Sequence, residues 1–151
     1  METFGRWFED FSVNEKIIHT KTKKITDKDS REFCFITENH HPLHTNEAYA
    51  KNTQHGKRVV AGTHVLSLAV GLTVADISGK AIANLNYTDV EHQYPTYIND
   101  VISVETTIIS KRDSKSKKDR GIVLVKTNAF NQKNQKILTF TRKILIPKKE
   151  I

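Results

Sequence analysis

The residues best suited to chemistry lie together in Thr37-Glu38-Asn39-His40-His41-Pro42-Leu43-His44-Thr45-Asn46-Glu47, where three of the seven histidines fall within five positions. Imidazole titrates near neutral pH, so such a cluster suits metal ligation or proton transfer. A zinc or iron ion would draw on His40, His41 and His44. Adjacent His40 and His41 point differently, however, and Pro42 is expected to prevent a regular helix from holding His40 and His44 on one face. No second acidic or cysteine cluster has ligand spacing, and the single cysteine, Cys34, excludes both an intramolecular disulfide and a cysteine cage. No metal is expected. Two readings remain: a catalytic loop, and a polar loop whose histidines are solvated or bonded to backbone. A second point of interest is Gly62-Thr63-His64, which opens an apolar run. Free N–H groups at a helix start can stabilise an oxyanion, and glycine lets a carbonyl come close. The same glycine also suits close helix–sheet packing. His64 is read as a core histidine.

The elements that must position these residues divide into helices first and strands later. Thr26 is placed to cap a helix, with Asp27 and Asp29 in its first turn and Phe33, Phe35 and Ile36 as its apolar contacts. The segment 39–45 is expected to be a loop broken by Pro42, and Asn46 to cap a short helix over 47–51. From Thr63 to Ala75 the pattern is helical and apolar on nearly every side, which predicts burial on all sides. Four β-like runs follow, over 81–87, 100–112, 121–131 and 136–147; the second alternates Val101, Ser103 and Glu105 against Ile102, Val104 and Thr106. The polar stretch 111–121 is expected to be a hairpin loop and 131–135 a tight turn. Near the N-terminus, Trp7, Phe8 and Phe11 suggest a short turn packed on the body, and 16–25 is weakly β-like. The whole reads as one α+β domain over 1–151, a bent antiparallel sheet wrapped around a central apolar helix, which is a hot-dog fold.

A chain of 151 residues fits one domain and can bury about two thirds of its unfolded surface. With 37% hydrophobic and 27% charged residues it is not expected to be disordered. The longest apolar run, within 59–75, falls short of the ~20 residues a membrane span needs. The first residues carry an acid and no long apolar stretch, so neither a signal peptide nor a membrane is expected, and the cytoplasm is the default compartment. The net charge of +7 and pI near 9.5 would suit a polyanionic partner. The basic residues are spread along the chain without interleaved aromatics, so nucleic acid is not expected.

The spacing Asn39-x-x-Pro42-Leu43-His44-x-Asn46-x-x-x-Ala50 resembles the motif Asp-x-Asn-Pro-Leu-His-x-Asp-x-x-x-Ala of the MaoC-like dehydratases, the (R)-specific or type-2 enoyl-CoA hydratases. Gly62 falls where that family opens its central helix with a glycine, and weaker similarity continues through Ala83-Asn84-Leu85, Asn99-Asp100 and the closing strands. The chain departs from the pattern where Asn39 stands for the catalytic aspartate, His41 for the asparagine, and Ala61 for a histidine. The motif is closest to the branch acting on short, branched or dicarboxylic acyl-CoAs of the mesaconyl-, itaconyl- or methylmalyl-CoA type.

The resemblance implies a hydratase or dehydratase of 2-enoyl/3-hydroxyacyl thioesters that works without metal or redox cofactor. It makes His44 the acid/base, Asn39 the residue that positions water, and His41 the substitute for the missing carboxylate. Gly62 would bind the thioester carbonyl, with Thr63 and Pro42 completing the substrate contacts. It further implies a homodimer or larger assembly, with the acyl site at the subunit interface. The phosphates of coenzyme A would find Lys57, Arg58, Lys111 or Arg112. Two other functions fit the same resemblance: a non-catalytic acyl-CoA-binding protein, because Asn39 cannot take a proton, and a hot-dog thioesterase.

Overall fold

The computed structural model describes residues 4–149. Two short strands, β1 (Lys16–Ile18) and β2 (Lys23–Lys24), precede helix α1 (Asp27–Ile36), the one-turn helix α2 (Pro42–Thr45), α3 (Glu47–Lys51) and α4 (Gly62–Thr73). Four long strands follow: β3 (Ala83–His92), β4 (Val101–Asp113), β5 (Arg120–Phe130) and β6 (Lys136–Pro147). The sheet is antiparallel throughout, in the order β1-β4-β5-β6-β3, with β2 also on β4. Alternation drives β4 and β5: Ile102, Val104 and Ile108 are buried, as are Val123 and Val125. Among the described residues, strand β3 forms one edge, with β6 its only neighbour, and the sheet does not close.

Helix α4 lies on the sheet. Val65 and Ala69 pack with Ile102, Val104, Ala129, Ile137, Leu138 and Phe140. The expectation of burial on all sides is corrected: Thr63, Ser67 and Gly71 form an exposed stripe, so the sheet covers one face of the helix and leaves the opposite one open. The helix ends at Thr73 and passes into a π-helical turn over Val74–Ser78.

Helix α1 starts where its cap predicts: Thr26 Oγ1 accepts from the Asp29 N–H at 3.1 Å, and Asp29 accepts from the Thr26 N–H at 3.0 Å. Its expected apolar contacts are only partly used, since Phe35 and Ile36 are each 74% exposed, while Cys34 and Ser30 are buried. The expected loop over 39–45 is also corrected. Pro42 opens a helical turn instead of breaking one, because proline at the first helical position loses no hydrogen bond.

Candidate active site

Glu38, in a left-handed conformation (φ 57°), turns the chain out of α1 into the histidine segment. Arg58 then ties three elements together: its Nε donates to Glu47 on α3 at 3.0 Å, its Nη1 donates to the His44 carbonyl on α2 at 3.3 Å, and its Nη2 pairs with Asp27 on α1. Arg58 is 6% exposed and fully engaged, so it does not serve as the phosphate-binding cation that the sequence allowed. Lys111 and Arg112 lie on β4, where Lys111 donates to the Phe8 carbonyl and Arg112 to the Asp113 carbonyl. Lys57 lies 4.1 Å over the Tyr97 ring and lines a small hollow with Tyr94.

The three clustered histidines have different partners. His40 meets the exposed Glu38 carboxylate at 2.9 Å. His41 caps α2, its Nδ1 accepting from the Leu43 N–H at 3.1 Å. His44 Nδ1 lies 2.6 Å from the Val59 carbonyl oxygen. A carbonyl only accepts, so Nδ1 carries the proton, and the neutral ring keeps a free lone pair on Nε2, the form a general base requires.

A pocket of about 270 Å³ opens beside His44. Its wall comes from α2, the segment Val59–Val60, the head of α4 (Gly62, Val65), the end of β3 (His92) and residues 93–96. Val60 is fixed there by its N–H to the Thr96 carbonyl at 2.8 Å, and Val59 pairs with Tyr97 in an isolated bridge. Gly62 is the first residue of α4, so its N–H and that of Thr63 have no acceptor within the helix. A Cβ on Gly62 would come within 2.9 Å of the His92 ring. His44, His92 and Tyr94 are the titratable residues of the wall; among the described residues no carboxylate or ammonium lines it.

Of the residues singled out by sequence, His44 and Gly62 share this pocket, while Asn39, His41, Pro42 and Thr63 do not line it. Asn39 is half-buried, its side-chain oxygen 3.4 Å from the His41 N–H. Pro42 is half-buried at the start of α2, and Thr63 is exposed on the first turn of α4. His92 escaped sequence reasoning. The β-like run ended at Tyr87 because Asp89 and Glu91 interrupt the apolar pattern, and a histidine three residues before Pro95 was the one available signal.

His64, beside the pocket's glycine in sequence, stacks on Phe33 with ring centroids 4.6 Å apart, and burial lowers its pKa. Burial likewise raises the Cys34 thiol pKa, leaving little thiolate near neutral pH.

Comparison with known proteins bears on this arrangement. The family model described as mesaconyl-CoA hydratase matches residues 2–151. The chain belongs to that family. A mesaconyl-CoA hydratase of Cereibacter sphaeroides is 27% identical over 146 residues, covering 97% of this chain and 42% of that protein. The chain thus spans about two fifths of the length of such curated relatives. The crystal structure of a protein called a monoamine oxidase regulatory protein, from Archaeoglobus fulgidus, matches with a TM-score of 0.86 and 29% identity over 99% of both chains. A Mycobacterium tuberculosis protein described as a double hot-dog matches with a TM-score of 0.88 over 96% of this chain and 45% of its own, at 17% identity. The fold of this mesaconyl-CoA hydratase family member is therefore the MaoC-like hot-dog, with an open six-stranded sheet.

Proposed function

We propose that this chain carries a hydratase/dehydratase site for 2-enoyl/3-hydroxyacyl-CoA thioesters, with short, branched or dicarboxylic acyl groups of the mesaconyl type. The observation that carries this reading is the shared pocket of His44 and Gly62, with the His44 tautomer held by the Val59 carbonyl. His44 Nε2 takes a proton from water, the water oxygen bonds to the β-carbon, and electron density moves to the thioester oxygen. The amides at the head of α4 offer hydrogen bonds to that oxygen. The α-carbon then takes a proton, and dehydration runs the steps in reverse. Asn39 and His41 act from the loop edge, the Asn39 amide orienting water and the His41 imidazole standing in for the carboxylate. Thr63 and Pro42, on the same helices as the pocket's Gly62 and His44 but outside its wall, would meet only parts of the substrate that extend beyond the pocket. The thioester is the only small molecule required, with no metal or redox cofactor. The protein acts as a homodimer in the cytoplasm.

The deciding experiment follows loss of the enoyl-thioester ultraviolet band with mesaconyl-CoA and crotonyl-CoA, for the wild type and His44→Ala. Turnover by the wild type that falls by at least ~10²-fold in the variant is expected, the low end for a general acid–base group. Near-wild-type turnover in a folded His44→Ala variant removes His44 from the mechanism. Acyl-CoA binding without turnover by the wild type replaces the reading with a non-catalytic binding protein, and release of free thiol replaces it with a thioesterase.

A further inference from the structure

We propose that His92 is the second proton-transfer residue of this site, giving the proton that the α-carbon needs while His44 takes one from water. The inference rests on the hydratase reading above and moves to His92, which lines the pocket, the carboxylate's proton-transfer task given there to His41, which does not line it. Hydration moves two protons, one off water and one onto carbon. In the motif this chain resembles, a carboxylate shares that work, but position 39 holds an asparagine, which cannot titrate. No carboxylate or ammonium replaces it at the pocket wall, where the titratable groups are His44, His92 and the Tyr94 phenol.

The position of His92 fits the missing task. Its Nε2 and Cε1 atoms lie 2.9 Å from the point where a Cβ of Gly62 would stand, so the ring lies against the backbone at the head of α4. The amides there are the ones that would hold the thioester oxygen, and the α-carbon is one bond from the thioester carbonyl carbon. A donor at Gly62 therefore faces the carbon that must be protonated, while His44 enters the same pocket from α2. The two imidazoles come from different elements, His44 from α2 and His92 from β3, and line the same pocket. The His92 ring makes no hydrogen bond among the described residues, whereas His44, His41 and His40 each have a partner. It is free to offer its proton to a ligand. The geometry also gives Gly62 a reason beyond carbonyl access: any side chain there would push the His92 ring away.

The proton balance closes with two histidines. Neutral His44 accepts a proton from water as the water oxygen bonds to the β-carbon. The enolate formed on the thioester takes a proton at its α-carbon from His92, which starts as the imidazolium. The product leaves His44 protonated and His92 neutral, and exchange with solvent restores both. In dehydration the two rings exchange roles.

His92 is exposed at the end of β3, so its replacement leaves the core intact. His92→Gln keeps a hydrogen-bond donor that cannot titrate. It is expected to lower kcat by about 10²-fold with KM changed less than about threefold, and to flatten the alkaline limb of the kcat/KM profile, where the donor would lose its proton. The acid limb, set by His44 needing to be neutral, is expected to remain. His92→Ala is expected to regain turnover with added imidazole, which a packing role would not produce. Wild-type turnover with a fully active His92→Gln, an unaltered alkaline limb or no rescue by imidazole overturns the role of His92 and leaves the hydratase reading standing. A wild type inactive on both thioesters overturns the reading, and this inference with it.

Discussion

His44 is half-buried with Nδ1 tied to a carbonyl, whereas His64 is packed face to face on Phe33 with Nδ1 buried and unpartnered. His19 is buried too. Its Nδ1–H donates to the Asp76 carboxylate at 2.7 Å, its Nε2 accepts from the Thr106 hydroxyl at 2.8 Å, and that hydroxyl meets Thr127 at 2.9 Å. Burial is the largest influence on both rings and lowers the pKa of each below its ordinary 6.5; at His19 it outweighs the pull of Asp76. The unfolded chain thus binds more protons than the folded one once the pH falls below about 6.5. Stability is full above that pH and declines as the pH falls through the unfolded value. Thermal unfolding followed by circular dichroism from about pH 8 to about pH 5 is expected to show a falling Tm. His64→Phe keeps the stack and removes the proton, so its Tm is expected to fall less over the same range. Parallel curves for variant and wild type would assign the acid sensitivity elsewhere.

At the scale of elements, alternation made β4, β5 and β6 legible from sequence and a long apolar run made α4 so, although the one-sided burial of α4 was not. The start of α1 was legible from its capping box. What escaped depends on tertiary partners. The one-turn helix α2 is held by His41 at its N-terminus and by Arg58 on the His44 carbonyl, and neither contact has a sequence period. The last residues of β3 are set by pairing with β6 across two irregularities in register, so His92 reached the pocket unannounced. Arg58 looked like a surface cation beside Lys57, yet it joins α1, α2 and α3 from a buried position. Arg58→Met keeps most of the volume and removes these bonds. The loss is expected to be about 2 kcal/mol, which for a chain of this size is a fall of roughly 6 °C in Tm. Turnover is expected to fall as well at temperatures where the variant is folded, since the His44 backbone loses its tether. A variant with lowered Tm and wild-type kcat would limit Arg58 to stability.

Over the whole molecule, one edge of the sheet brings exposed apolar side chains next to the pocket. Among the described residues strand β3 has a single neighbour, and Ile82, Leu85, Tyr87, Val90 and Tyr94 are exposed along and just beyond it. A long edge strand left open is a template for unwanted pairing, and proteins that keep one usually blunt or cover it. The same strand ends at His92, and Tyr94 lies on the pocket wall, so whatever covers this edge borders the site as well. The mesaconyl-CoA hydratase and β-methylmalyl-CoA dehydratase relatives run to more than twice the matched length, and the Mycobacterium tuberculosis protein carries two hot-dog units in one chain. In the homodimer proposed above, a second copy placed β3 against β3 would continue the hydrogen-bond ladder and bury the exposed apolar side chains of both edges. Sedimentation equilibrium is expected to give twice the 17.3 kDa chain mass. Leu85→Lys combined with Tyr87→Lys places like charges on that edge, and is expected to yield a folded monomer with little turnover. A monomeric wild type would remove the second copy from the site, and a dimeric double variant would move the interface away from β3.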